Sequence, residues 1–411
     1  MEHRILHIQS PSRRRRVGYL RMSAFALATA LAVSACASTS SAGDAASTAA
    51  ADTNSQAADA GSTEAAAASS DSSAAGSTSG AATSACASGK YKTVVQVRDN
   101  VNPFYTSWLA GGKAFSDSVG ATQTDLTYDN DSSKQQQQIK QLLASISPDE
   151  APCYILNILP NNDSDAAPVV KEATDAGVLV VTQWNKPADL HPWDGYDTWV
   201  ANVAFDGKWV GYTMAKTLFD AMGGTGNIIE LHGQLDSSAD KDRSEGLKKA
   251  LSEYPNIKVL DSQSGDFVRA EGLSITKTLI TKYGNDINGI WSSNDDMALG
   301  ALQALQTAGM NDVKITGTDA VPEALDAIKA GKMLATTASD PTWQGGEGLA
   351  LGYCVATGAL NIASMPHTQR EFYAKQFSIT KDNVDEFAAS KLDVGEYDCN
   401  KVFDRATEPI G

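Results

Sequence analysis

From Tyr91 onward the apolar and polar positions alternate between two textures. Short β-branched runs are each followed, after a loop, by a longer stretch with apolar residues at helical spacing. The runs are Tyr91–Val97 (YKTVVQV), Thr122–Tyr128, Cys153–Leu159, Val178–Gln183, Gly226–Gly233, Ile257–Gln263, Gly289–Asn294, Lys314–Asp319 and Leu334–Asp340. The stretches between them predict helices over Phe104–Val119, Ser133–Ser145, Asp165–Ala176, Asp240–Tyr254, Ala270–Tyr283, Asp295–Ala308 and Pro322–Ala330. In the sixth helix Ala298, Ala301, Leu302, Leu305 and Ala308 form one apolar stripe, and Gly309 stops it; Gly177, Gly284 and Gly331 end others in the same way. Strands alternating with helices of this length mean βαβ units and parallel sheets. About nine strands suit two smaller sheets better than one. The segment Trp184–Trp209 breaks the rhythm with Pro187, Pro192, Asp194, Gly195 and a run of tryptophans that includes Trp193 and Trp199, which read as loop packing. A first crossing between two lobes falls at its end, near Asp206. The Gln135–Gln138 run reads as the exposed face of its helix, and Gly223–Gly226 as a turn, because it precedes a strand.

The first ninety residues have a different texture. Arg13–Arg16 and Arg21 form a basic region, and Met22–Ala35 is apolar but short for a bilayer span. It closes on Val33-Ser34-Ala35-Cys36, which resembles the lipobox of bacterial lipoproteins, in which the cysteine becomes the lipidated first residue. Residues 1–35 are therefore expected to be a lipoprotein signal peptide, with Cys36 the lipidation site. The run SRRRRVGYL is loosely twin-arginine-like, so either export route is open. Residues 36–89, almost all Ala, Ser, Thr and Gly, have no apolar face with which to offset ordering entropy, and are expected to be a flexible tether. The protein is thus expected outside the cytoplasm, anchored by lipid to the outer face of the cell membrane.

The 411 residues carry a formal charge of −16, which argues against nucleic acid as a partner. No Cys/His spacing suggests a metal, and no cofactor motif is present. Neither a nucleophile elbow nor a poised His suggests an enzyme.

In open parallel sheets ligands sit outside the C-terminal ends of the strands. The residues just past the strands here are Asn102, Phe104 and Tyr105; Trp184 and Asn185; Asp266 and Phe267; Asn294 and Asp295; and Asp319, with Arg243 in the first turn of the helix that follows the fifth strand. Planar Asn, Asp and Arg side chains match sugar hydroxyls, which both donate and accept, and aromatic rings pack on the C–H faces of sugars. Of Asn294 and Asp295, the first reads as the ligand contact and the second as the helix cap.

At these residues the chain, from about Lys92 to Phe377, resembles the ribose-binding-type family of periplasmic solute-binding proteins, the type I two-lobed receptors of ABC importers. The matching segments are NPFY, NNDSDA, DRSEG, DFVRAEG, NDDMALGALQALQTAG and GTDAVPEALDAIKAGKMLATT, in order. The resemblance implies an α/β protein of two doubly wound parallel-sheet lobes joined by a three-segment hinge, with lobe 1 over 90–204 and 340–372 and lobe 2 over 205–339 and 373–411. It implies that Asn102, Phe104, Tyr105, Arg243, Phe267, Asn294 and Asp319 stand where the family places ligand contacts. In that fold the first and third strands are neighbours. Cys86 and Cys153 are then candidates to bridge, leaving Cys354 and Cys399 as the second pair among the three pairings four cysteines allow.

Departures shape the expected ligand. Where the ribose-type pattern has Asp-Arg after the fourth strand, this chain has Trp184-Asn185; where it has Asn-Pro after the third, Pro160-Asn161; and Ser339 replaces a Gln in the last crossing. One matched cation, Arg243, faces one matched anion, Asp319. A neutral monosaccharide or related polyol is therefore expected, bound by a monomer and delivered to an ABC permease. The alternative is a receptor that presents a bound sugar to a sensor kinase or chemoreceptor. A repressor of the related fold is excluded, because the basic, apolar and Ser/Ala-rich leader occupies the place of its DNA-binding helices.

Overall fold

The computed structural model describes residues 86–389 and 397–410. The expected signal peptide over 1–35, the expected lipidation site Cys36 and most of the expected tether lie outside them. In chain order the elements are β1 (Lys92–Val97), α1 (Pro103–Ser118), β2 (Thr122–Thr127), α2 (Ser132–Ala144), β3 (Tyr154–Ile158), α3 (Ala166–Asp175), β4 (Leu179–Gln183) and β5 (Trp199–Ala204). They continue with α4 (Gly207–Ala221), β6 (Gly226–His232), α5 (Ser238–Glu253), β7 (Ile257–Ser264), α6 (Arg269–Tyr283), β8 (Gly289–Ser292), α7 (Asp295–Ala308), β9 (Lys314–Thr316), α8 (Pro322–Lys329) and β10 (Ala335–Ala338). The last are α9 (Pro341–Ala356), α10 (His367–Arg370), β11 (Glu371–Ala374), β12 (Phe377–Thr380), α11 (Val384–Ala389) and β13 (Ala406–Pro409).

Two sheets form, one per lobe, as the alternation predicts. The first has strand order β13-β11-β5-β4-β3-β1-β2 and the second β12-β10-β9-β8-β6-β7. Each is parallel except for one antiparallel edge strand, β13 on β11 and β12 on β10. The order reverses between β1 and β3 in the first sheet and between β6 and β8 in the second, and these two reversals create the crevices in which such sheets bind ligands. The inner strands are buried on both faces: β4, β5, β8 and β10 have no exposed residue. Burial on both faces suits a parallel sheet covered by helices, and β4, with Leu179, Val180 and Val181 in succession, reads as an apolar run for that reason.

Several expectations need correction. The segment read as a loop around Trp199 contains β5, in which Asn202 is buried and accepts from Thr182 Oγ1 at 2.8 Å. Residues 373–411 do not all belong to the second lobe. Tyr373 and Ala374 complete β11 in the first sheet, β12 and α11 belong to the second lobe, and Tyr397 onward returns to the first, where β13 pairs with β11. These pairings bring together segments distant in sequence, so no local pattern announces them. Gln135 is not exposed: it is fully buried, and its Nε2 donates to Gln96 Oε1 and to the Leu159 carbonyl. Helix α5 starts two residues earlier than expected, with Ser237 as its cap, which puts Arg243 in its second turn.

Cys86 is bonded to Cys153 and Cys354 to Cys399. The first bridge ties the start of the described chain to the foot of β3, and the second ties α9 to the C-terminal segment. Among the described residues no helix is long and apolar enough to cross a membrane.

Candidate functional site

Among the described residues the chain crosses between lobes at Phe205–Asp206, at Ser339–Asp340 and at Lys375–Gln376. The C-terminal strand ends of the two sheets face each other across the resulting cleft. All nine residues singled out as ligand contacts line one cavity there, of about 40 Å³. The first lobe supplies Asn102, Phe104, Tyr105, Trp184 and Asn185, and the second Arg243, Phe267, Asn294 and Asp319.

Close helix packing sets Arg243 in place. A Cβ on Gly211 of α4 would lie 1.8 Å from the Arg243 carbonyl oxygen, so glycine there lets α5 sit hard against α4. The Arg243 guanidinium donates from Nη1 to the Ser293 carbonyl at 2.7 Å and lies 3.9 Å from Asp319 Oδ1. It also rests over two rings, 5.2 Å from Trp184 of the opposite lobe and 5.9 Å from Phe267. Trp184 is itself fixed: it stacks on Phe205 at 5.3 Å, and its indole N–H donates to Gln344 Oε1 at 2.6 Å. Phe267 lies directly on Gly233, where a Cβ would come within 2.0 Å of the ring.

Three of these residues hold backbone conformations that side chains disfavour. Trp184 has φ 66°, Phe267 φ 64° and Asp319 φ 121°. Strain of this kind costs on the order of 1–3 kcal/mol per residue and persists where surrounding structure enforces it, often at binding sites. Here all three point their side chains into one cleft.

The polar groups divide by how much hydrogen bonding they have left. Asn294, not Asp295, caps α7: its Oδ1 accepts from Met297 N at 3.0 Å while Nδ2 donates to the Phe267 carbonyl at 3.2 Å. Asp295 is buried behind it, accepting from Thr336 Oγ1 at 2.8 Å and from Val321 N at 3.1 Å, and burial pushes its carboxyl up to about 7. Burial also raises Asp319 well above the ordinary carboxylate range. The Arg243 charge pulls it back, and Asp295 and Asp296 push it further up. Asn102 caps α1 through Oδ1, which accepts from Phe104 N at 2.9 Å. Asn185 donates to the carbonyls of Pro160 and Asn161, at 2.8 and 3.2 Å, while its Oδ1 is buried with no partner in the protein. Burial holds the Tyr105 phenol up at about 12, so it stays protonated and able to donate.

Arg98, Leu159 and Ala239 also line the cavity, and the sequence reading passed over them. Arg98 directly follows β1, so the rule that selected the other residues would have found it. An arginine at the start of a loop reads by default as solvated, yet this one is 3% exposed.

Residues 93–360 match the model of the periplasmic binding protein domain. The chain is 32% identical to the ribose import binding protein of Salmonella typhimurium over 64% of this chain and 84% of that one. It is 33% identical to the xylitol-binding protein of Mycolicibacterium smegmatis over 56% of this chain, spanning 61% of that protein's length. A solved structure, a twin-arginine translocation pathway signal protein from Burkholderia phytofirmans, superposes with a TM-score of 0.74 at 34% identity, over 78% of this chain and 99% of that one. The chain belongs to the periplasmic binding protein family, with the two-lobed type I fold.

Proposed function

We propose that this protein is the extracytoplasmic substrate-binding component of an ABC importer, and that it captures a neutral monosaccharide or related polyol between its closing lobes and delivers it to the permease. The observation that carries the reading is the makeup of the cleft. Aromatic faces from both lobes, Trp184 and Phe267, flank the Arg243–Asp319 pair. A sugar or polyol offers C–H faces to the rings and hydroxyls to the planar polar groups. The similarity to proteins named for ribose and xylitol binding supports the same class. The site binds its ligand and leaves it unchanged. The protein acts as a monomer held to the membrane by lipid on Cys36, so Cys36→Ser should release it from the membrane fraction.

The test is a thermal-shift and calorimetric screen of the full chain against monosaccharides, polyols and nucleosides. A true ligand at about 100 times its dissociation constant should add roughly 2.7 kcal/mol of stability. Arg243→Ala should weaken that binding about ten- to a hundredfold, the size expected for one charge-assisted hydrogen bond of roughly 1.5–3 kcal/mol. A sugar phosphate bound much more tightly than its parent sugar, or binding undiminished in Arg243→Ala, would overturn the reading.

A further inference from the structure

Arg98 is hydrogen-bonded to both lobes. Its Nη2 donates to the Asn161 carbonyl at 3.1 Å within the first lobe and also to Gln234 Oε1 of the second lobe. Gln234 in turn donates to Asn161 Oδ1 at 3.3 Å. The guanidinium lies 5.3 Å from the Phe267 ring centroid, also in the second lobe. Arg98 is therefore built from one lobe and completed by the other. Its remaining donors, Nε and Nη1, are buried and have no acceptor of good hydrogen-bond geometry in the protein; the Tyr128 phenol is the side-chain oxygen beside them, and it donates its own proton to the Leu159 carbonyl at 3.0 Å. A buried guanidinium donor without an acceptor is costly, and Arg98 lines the cavity, where Arg243 Nε and Asn185 Oδ1 are the other buried polar atoms left unpaired. The nearest carboxylate along the chain, Asp99, is occupied by the backbone N–H groups of Val101 and Asn102 at 2.8 and 2.7 Å.

We propose that Arg98 is a specificity-determining ligand residue of this cleft, whose Nε and Nη1 donors take oxygen acceptors of the bound sugar or polyol, while its separate Nη2 bond to Gln234 favours the closed arrangement of the lobes. The inference rests on the sugar-binding reading above. It also accounts for a departure noted in the sequence. The chain lacks the arginine that the ribose-type pattern carries after the fourth strand, having Asn185 there, and Arg98 brings a guanidinium into the same cavity from the end of β1.

The experiment compares wild type, Arg98→Met and Gln234→Ala, each as the full chain. Calorimetry measures binding of the best ligand from the screen and of its monodeoxy analogues. Arg98→Met keeps the apolar stem and removes every donor. It should bind the parent ligand about ten- to a hundredfold more weakly. It should also lose the discrimination that wild type shows against one particular deoxy analogue, while Arg243→Ala keeps that discrimination. Gln234→Ala should weaken all ligands equally, because it affects closure and not the contact. If wild type binds a sugar or polyol and Arg98→Met keeps both affinity and discrimination, the assignment of Arg98 falls while the sugar-binding reading stands. If wild type binds no member of the panel, that reading falls and takes this one with it. Should Arg98→Met fail to fold, Arg98→Lys serves in its place: it keeps the charge but cannot place the same donors, and unchanged discrimination in it would equally overturn the proposal.

Discussion

At the scale of single residues, the cleft uses several side chains twice. Asn102 caps α1 with its oxygen and also lines the cavity, and the two jobs can be separated. Asn102→Ala removes both, and should cost about 1 kcal/mol of stability for the lost cap as well as ligand affinity. Asn102→Ser restores a capping oxygen without the amide donors. It should melt within a degree or two of wild type yet bind ligand as weakly as the alanine variant. Equal affinity in Asn102→Ser and wild type would show that Asn102 serves the helix alone. The same doubling explains why the sequence reading gave the cap of α7 to Asp295, when Asn294 holds it. Both residue types cap helices well, and only the extended backbone of Asn294, φ −147° and ψ 169°, decides which one does. Arg98 escaped notice although it directly follows β1, because an arginine that opens a loop reads by default as solvated, while this one is buried among residues of both lobes.

At the scale of elements, the strands were legible wherever β-branched residues run together, as in β1, β3 and β4, and illegible where tertiary pairing overrode the local pattern. Strand β5 is the clearest case, since Asn202 in its middle and the Trp- and Pro-rich segment before it hide a fully buried strand. That preceding segment carries Trp184 and Asn185 into the cleft and is held from behind by α10 and β11. Lys186 Nζ meets Glu371 Oε1 at 2.6 Å with both side chains buried, His191 Nδ1 meets Glu371 Oε2 at 2.8 Å, and Arg370 donates to the Pro192 carbonyl at 2.7 Å. Glu371→Ala strands the Lys186 charge in the interior and should destabilise by about 3–5 kcal/mol. It should also weaken ligand binding by shifting Trp184, although Glu371 does not line the ligand cavity. Chemical denaturation of Glu371→Ala beside a Lys186→Met/Glu371→Met pair gives the check: the pair should recover most of the lost stability, since a well-packed apolar replacement avoids the desolvation cost. Helix α9 offers a second test. Burial pushes its Glu347 carboxyl up to about 8, with Arg405 drawing it down and Asp404 pushing it up. The folded state thus holds this proton more tightly than the unfolded chain does, whose value is near the ordinary 4.5. The protonated carboxyl contributes fully below pH 4.5, and stability falls as pH rises towards 8. Glu347→Gln should flatten that decline and melt higher than wild type at pH 8.5. Parallel melting curves for the two proteins between pH 5 and 8.5 would contradict it.

At the scale of the whole molecule, the lobes touch each other directly as well as through the cleft residues. Asp163 of the first lobe accepts from the Ser238 backbone N–H at 2.8 Å and from Ser238 Oγ at 2.7 Å, at the start of α5 in the second lobe, and pairs with Lys241 Nζ at 2.9 Å. A carboxylate at a helix N-terminus is favoured by the exposed N–H groups and the helix dipole. Ser238 Oγ also donates to the Lys186 carbonyl at 3.1 Å, and Asp163 N donates to the Asp236 carbonyl at 3.2 Å. None of these groups lines the ligand cavity, so they bias the open–closed equilibrium without contributing to recognition. A ligand that binds the closed form has its apparent affinity scaled by the closed fraction. Removing contacts that favour closure must therefore weaken every ligand by one common factor, provided the closed form no longer dominates. Asp163→Ala should weaken all ligands about three- to tenfold, the effect of losing about 1 kcal/mol of closed-state preference. Their rank order should not change. Small-angle scattering should show the ligand-free variant more extended than ligand-free wild type, and both reaching the same compact shape at saturation. A variant that changed the ranking of ligands would place Asp163 in recognition, and one that left both shape and affinity untouched would mean that closure is set by the cleft residues and the hinge alone.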